Sequence, residues 1–109
     1  MAKHEFGIMP CAPKVQERYD TYEPEKYGCI AVDDDLIETL AQEWSGIDTY
    51  WHTVDRPAKG LAYCGITLIP PESSRDMIMI KREKEEFQPL RELLQQAAAE
   101  NRFVIHFGL

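Results

Sequence analysis

The chain has 109 residues and a net charge of −7, with 44% apolar and 28% charged residues. That length suits one domain around one hydrophobic core, and that composition excludes an intrinsically disordered chain. The charge is uneven: residues 1–55 hold twelve acids and four bases, residues 56–109 seven acids and eight bases. Binding a phosphate backbone needs clustered Lys and Arg, so no nucleic-acid partner is expected. The longest apolar run, residues 60–69, is about half of what a bilayer span needs, and residues 1–6 (MAKHEF) lack the apolar stretch of a secretory signal. No membrane partner is expected either. Cys11, Cys29 and Cys64 are an odd number without CxxC spacing. They point to a reducing, cytoplasmic compartment rather than to disulfides or a structural zinc site.

Residues 1–26 show no period and are punctuated by Pro10, Pro13 and Pro24. Proline fixes φ and removes a donor, so the segment reads as an irregular, extended arm lying against the domain formed by residues 27–109. Residues 27–32 (YGCIAV) form a first strand. Asp33, Asp34 and Asp35 follow, favourable at the positive end of a helix, and Asp35 with Glu38 has the spacing of a capping box. Leu36, Ile37, Leu40, Ala41 and Trp44 repeat at helical spacing, and Gly46 ends a helix over 35–45.

Residues 48–54 (DTYWHTV) are β-branched and aromatic, and residues 61–69 (LAYCGITLI) form the strand that closes a hairpin with them. Pro70 and Pro71 end that ladder. Ser73 and Asp76 start a second helical segment that takes in residues 77–80 (MIMI) and the charged residues 81–86. Phe87, Leu90, Leu93, Leu94, Ala97 and Ala98 form an apolar stripe, with Pro89 marking a break or a first helical turn. Residues 103–107 (FVIHF) are the last strand. The order strand, helix, strand, strand, helix, strand is the ferredoxin-like split β-α-β-β-α-β pattern. It predicts an α+β fold with a four-stranded antiparallel sheet in order 4-1-3-2 and helices on one face.

No glycine-rich phosphate loop, HExxH or GxSxG is present, and nothing implies a cofactor. Candidate residues come from strand parity, since alternate residues point to opposite faces. Ala62, Cys64, Ile66 and Leu68 are expected under the helices, as are Ile30, Val32, Trp51, Phe103, Ile105 and Phe107. The open face then collects Cys29, Tyr50, His52, Tyr63 and His106. In that strand order His52 and His106 stand on opposite edges, about 14 Å apart, too far to share a metal ion. No metal site is expected, and Asp33–Asp35 reads as helix capping rather than as a cation loop. Cys29 and Cys64 read as small buried hydrophobes.

His52 with Tyr50, Tyr63 and Cys29 is therefore the candidate ligand-binding set, His52 serving as base and a tyrosine as donor. Tyr19, Tyr22 and Tyr27, interleaved with acids in the arm, are the candidate partner-binding set. The leading expectation is a non-catalytic interaction module, acidic and soluble, that docks a protein partner or pairs with itself as a homodimer. The alternative is a small-molecule-binding domain or small homodimeric enzyme using the open face around His52 and Tyr63.

Overall fold

The computed structural model describes residues 3–79 and 87–108. In chain order these form β1 (Lys3–Ile8), a short 3-10 turn (Pro24–Tyr27), β2 (Ile30–Asp33), α1 (Asp34–Trp44), β3 (Asp48–Trp51) and β4 (Pro57–Lys59). They continue with β5 (Ile66–Ile69), α2 (Pro71–Ile78), α3 (Gln88–Ala99) and β6 (Val104–Phe107). The six strands make one sheet in the order β2-β1-β6-β5-β3-β4, and every neighbouring pair is antiparallel.

The α+β class holds, but the ferredoxin-like, four-stranded sheet does not: two strands are added and the order changes. The decisive addition is β1. It lies between β2 and β6, in the stretch expected to be an irregular arm. His4 and Phe6 point toward the helices and are fully buried. A buried histidine breaks the apolar alternation that would have revealed the strand. On the other face, Gly7 is a close approach: a Cβ there would lie 2.7 Å from Cys29 Sγ and from Tyr27 Cβ. The second added strand, β4, is three residues long and pairs with the outer edge of β3. Strand β3 stops at Trp51 because His52 turns into the left-handed region, φ 67°.

Helix α1 begins one residue before the predicted start. Asp33 occupies its N-cap position without a side-chain capping bond, so the predicted cap at Asp35 does not form. Met77 and Ile78 are helical, as expected for that run, while Ile80 and residues 81–86 lie outside the described residues. Pro89 sits in the first turn of α3, where its missing N–H costs nothing.

The helices cover one sheet face. Phe6, Ile37, Leu40, Trp44, Ile69, Leu90, Leu94 and Val104 form the main core there. Strands β5 and β6 are buried on both faces, so their alternation carries no sign, and the predicted parity is reversed. Thr67, Ile69, Val104 and His106 face the helices; Ile66, Leu68, Ile105 and Phe107 face the other way. That second face is not open, because Met9, Tyr19, Tyr27 and Cys29 of the chain's own segment 9–29 pack on it. Among the described residues no helix is long and apolar enough to cross a membrane.

Burying a side chain of this size stabilises the fold by about 1.5–3 kcal/mol, and removing it leaves a cavity as well. Trp44 and Leu94 are both fully buried. Trp44→Ala should therefore cost about 3–5 kcal/mol and Leu94→Ala about 2–5 kcal/mol. Urea denaturation checks both, and a loss under about 1 kcal/mol would show that the site collapses without a cavity.

Candidate functional site

His52 is fixed by its backbone before its ring is considered. Its N–H donates to Ile66 O at 3.0 Å, and its carbonyl accepts from Tyr19 N–H at 2.7 Å. These bonds, to β5 and to the covering segment, hold a left-handed conformation that costs an ordinary residue about 1–2 kcal/mol. The ring Nδ1 is buried 2.8 Å from Asp20 Oδ1, at ion-pair distance but off the line of a hydrogen bond. Nε2 faces the Ile66 N–H across a long 3.5 Å contact. It also lies over Gly65, where any Cβ would come within 2.8 Å of it. The Arg18 guanidinium, 2.8 Å from Asp20, holds that carboxyl below the ordinary carboxylate range, and His52 adds to the effect.

Asp20 and His52 stand at a cleft of about 400 Å³, within the usual range for small-ligand sites. Tyr22, Cys64 and the backbone of Gly65 and Gly108 complete its polar lining, with Ile66 and Phe107 as apolar wall.

A second polar group lies on the helix side, with His4, His106 and Thr67 buried and Asp34 and Tyr63 at its partly exposed end. His4 Nε2 is 2.9 Å from Asp34 Oδ1, and His4 Nδ1 is 2.8 Å from His106 Nε2. His106 Nδ1 is 3.2 Å from Thr67 Oγ1, which accepts from Ala62 N–H at 2.8 Å. Tyr63 OH donates to the same Asp34 oxygen. One placement of hydrogens satisfies every atom with both histidines neutral. Thr67 O–H donates to His106 Nδ1, His106 Nε2–H to His4 Nδ1, and His4 Nε2–H to Asp34. Burial, with His4 beside it, pushes the His106 pKa down to about 3, which keeps that ring neutral. Bonds from Tyr63 and then His4 lower the Asp34 carboxyl, while the Tyr63 hydroxyl is pushed up to about 12 by Asp34.

The candidate ligand set is thus dispersed. His52 lines the cleft, but Tyr63 is bonded to Asp34 and stands edge-on to His4 on the helix side. Tyr50 packs against Phe103 in the second-face cluster. Cys29 is half-buried under Gly7, and burial with Glu5 nearby pushes its thiol up to about 12. His106, expected on the open face, is buried under the helices. Cys64, expected under them, is exposed. Of the arm tyrosines, Tyr22 and Tyr27 both pack on Phe107, and Tyr22 also donates to Glu5. Tyr19 is part of the second-face cluster.

Asp20, Phe107, His4 and Asp34 were missed. The one signal for His4 was its position two residues before Phe6, which any reading of residues 3–8 as a strand would have paired on one face. Asp34, Asp35 and Glu38 bring carboxylate oxygens within 4.8 Å of one another, but Asp34 is already committed to His4 and Tyr63. The chain matches no family model, no curated protein and no solved structure.

The buried chain has a pH signature. An unfolded histidine takes up a proton near pH 6.5, whereas folded His106 does so only near pH 3. The unfolded state binds the extra proton throughout that window, so stability is full above it and falls as the pH falls. Lowering the pH from 7 to 5 should cost about 2 kcal/mol from this group. Urea melts at the two pH values measure it, and a difference under about 0.5 kcal/mol would show that His106 titrates as in the unfolded chain. His4→Ala, which strands the buried His106 Nε2, should cost about 1–3 kcal/mol at pH 7 in the same assay.

Proposed function

We propose that this domain binds a small molecule in the cleft beside His52. The observation that carries the reading is the convergence of a histidine and a carboxylate on a cleft of about 400 Å³, the histidine being held in a left-handed backbone. Non-glycine residues in that conformation cluster at ligand sites, where the surrounding structure has to maintain them. The lining describes the ligand. Ile66 and Phe107 suit a compact apolar body, and the ionised Asp20 suits a hydrogen-bond donor or a cationic amine at its end.

A second reading, docking of a basic protein partner, is supported by the twelve acids in the first 55 residues. It is also supported by Val15 and Tyr22, which are 71% and 62% exposed in the covering segment. Pairing of two copies has less support, because segment 9–29 already covers the sheet face that would have needed a partner. Three free thiols, two of them exposed, fit a reducing, cytoplasmic setting for either reading.

The test is a fragment screen read by amide chemical shifts on the intact chain. Amine-bearing aromatic fragments should move the Gly65, Ile66 and Gly108 amides, and His52→Ala should abolish those shifts while changing the thermal midpoint little. If the wild-type amides stay still across the screen and His52→Ala mainly destabilises, His52 is only a structural residue and the ligand reading fails.

A further inference from the structure

We infer that Cys64 is a nucleophile served by the His52–Asp20 pair, and that the cleft takes small acyl esters or thioesters. The inference rests on the ligand reading above and adds a reaction to it. Three observations converge.

First, Asp20, His52 and Cys64 line one cleft. Second, the contacts of the imidazole select the tautomer that a base needs. The Ile66 N–H points at Nε2 and the Asp20 carboxylate lies 2.8 Å from Nδ1, so Nε2 is the acceptor and the ring proton sits on Nδ1, off the line to Asp20. That lone pair has only the long 3.5 Å contact from Ile66 N–H, and it lies against Gly65, the residue after Cys64. A side chain at position 65 would occupy the space where the imidazole edge meets the chain.

Third, the alternatives among these residue types are committed elsewhere. His4 and His106 are locked in the buried chain, and Cys29 is half-buried beneath Gly7. Cys64 is the exposed thiol in the cleft that His52 lines. The apolar wall of Ile66 and Phe107 suits an acyl group, and the cleft is open enough for a leaving group to depart.

The chemistry balances without any further oxidant or reductant. Cys64 Sγ attacks the carbonyl carbon as its proton passes to His52 Nε2, and Asp20 stabilises the imidazolium. The C–O or C–S bond to the leaving group breaks, and the departing oxygen or sulfur takes that proton. Water then attacks the acyl-cysteine, giving up a proton through His52 to the thiol and releasing the carboxylic acid.

The experiment compares Cys64 with Cys11, an exposed thiol of the same molecule. The full chain is treated with iodoacetamide between pH 5.5 and 8, and each site is followed by peptide mass. A histidine base sharing the cleft should make Cys64 react about tenfold faster than Cys11 at pH 6.5. His52→Gln and Asp20→Asn should both lower that advantage, and 4-nitrophenyl acetate should leave an acetyl group on Cys64. Equal rates at the two thiols in the wild-type protein overturn the inference, whatever the variants do. So does an unchanged Cys64 rate in whichever of the two variants keeps its native amide spectrum. Cys64→Ser separates the two readings: fragment-induced shifts that persist in it, with equal wild-type thiol rates, leave the ligand site standing and remove the nucleophile.

Discussion

The hydrogen-bonded chain from Asp34 through His4 and His106 to Thr67 constrains this fold more than any single apolar contact. Burying imidazoles and a hydroxyl is unfavourable unless each polar atom finds a partner, and here the partners come from five separate pieces of chain. They are the start of α1, strands β1, β6 and β5, and the turn after β4. Apolar contacts tolerate sliding, but a directional chain of this kind does not. A one-residue slip of β1 against β6 would turn His4 to the other face and take from His106 Nε2 and Asp34 their bonds to His4. The two rings lie nearly coplanar and edge to edge across their hydrogen bond, 5.1 Å apart and 14° from parallel, and Phe6 packs against them with its ring centroid 4.8 Å from that of His106. Aromatic packing and hydrogen bonding therefore specify the same register.

The constraint reaches the cleft through residues 62–65. Ala62 N–H bonds Thr67 Oγ1 and Tyr63 OH bonds Asp34, both on the helix side. Gly65 N–H bonds Ala62 O, and Gly108 N–H bonds Gly65 O. Gly108 is pressed so closely to this turn that a Cβ would lie 2.2 Å from Tyr63 O. The same four residues present Cys64 and Gly65 to the His52 cleft on the other face. The two polar groups thus lie on opposite faces of the sheet and share one short turn. Displacing that turn to relax either group would disturb the other.

What could be read from the sequence followed from the strength of its period. Helix α1 and the stripe of α3 have one apolar face each, and both were legible with boundaries near the observed ones. Strands β2, β3, β5 and β6 were legible as strands, but the faces of β5 and β6 were not. Parity needs a polar face for contrast, and β5 and β6 are buried on both sides, so VIHF and ITLI fit either orientation equally. Strand β1 was hidden for a related reason: His4 and Gly7 occupy positions that an apolar pattern would have filled. One histidine satisfies buried hydrogen bonds and one glycine admits Tyr27 and Cys29, and neither role leaves a periodic trace. Missing β1 then moved β2 next to β6 and β5, and the candidate site was assembled on a face that does not exist as an open surface.

The contrast among the three histidines is what supports placing the proposed site at His52 rather than at the other two. His4 and His106 each have both ring nitrogens engaged by protein groups, and neither is accessible to solvent. Such rings can hold a register, but they have no free lone pair to offer a ligand. His52 is arranged the other way. Its backbone is secured twice, to Ile66 and to Tyr19, while its ring has one long contact and one misaligned ion-pair contact. If packing alone were at stake, a glycine or asparagine would take the left-handed position after β3 with less strain. An imidazole there is held rigidly by its main chain and left under-satisfied at its side chain, which is the combination that binding or proton transfer requires.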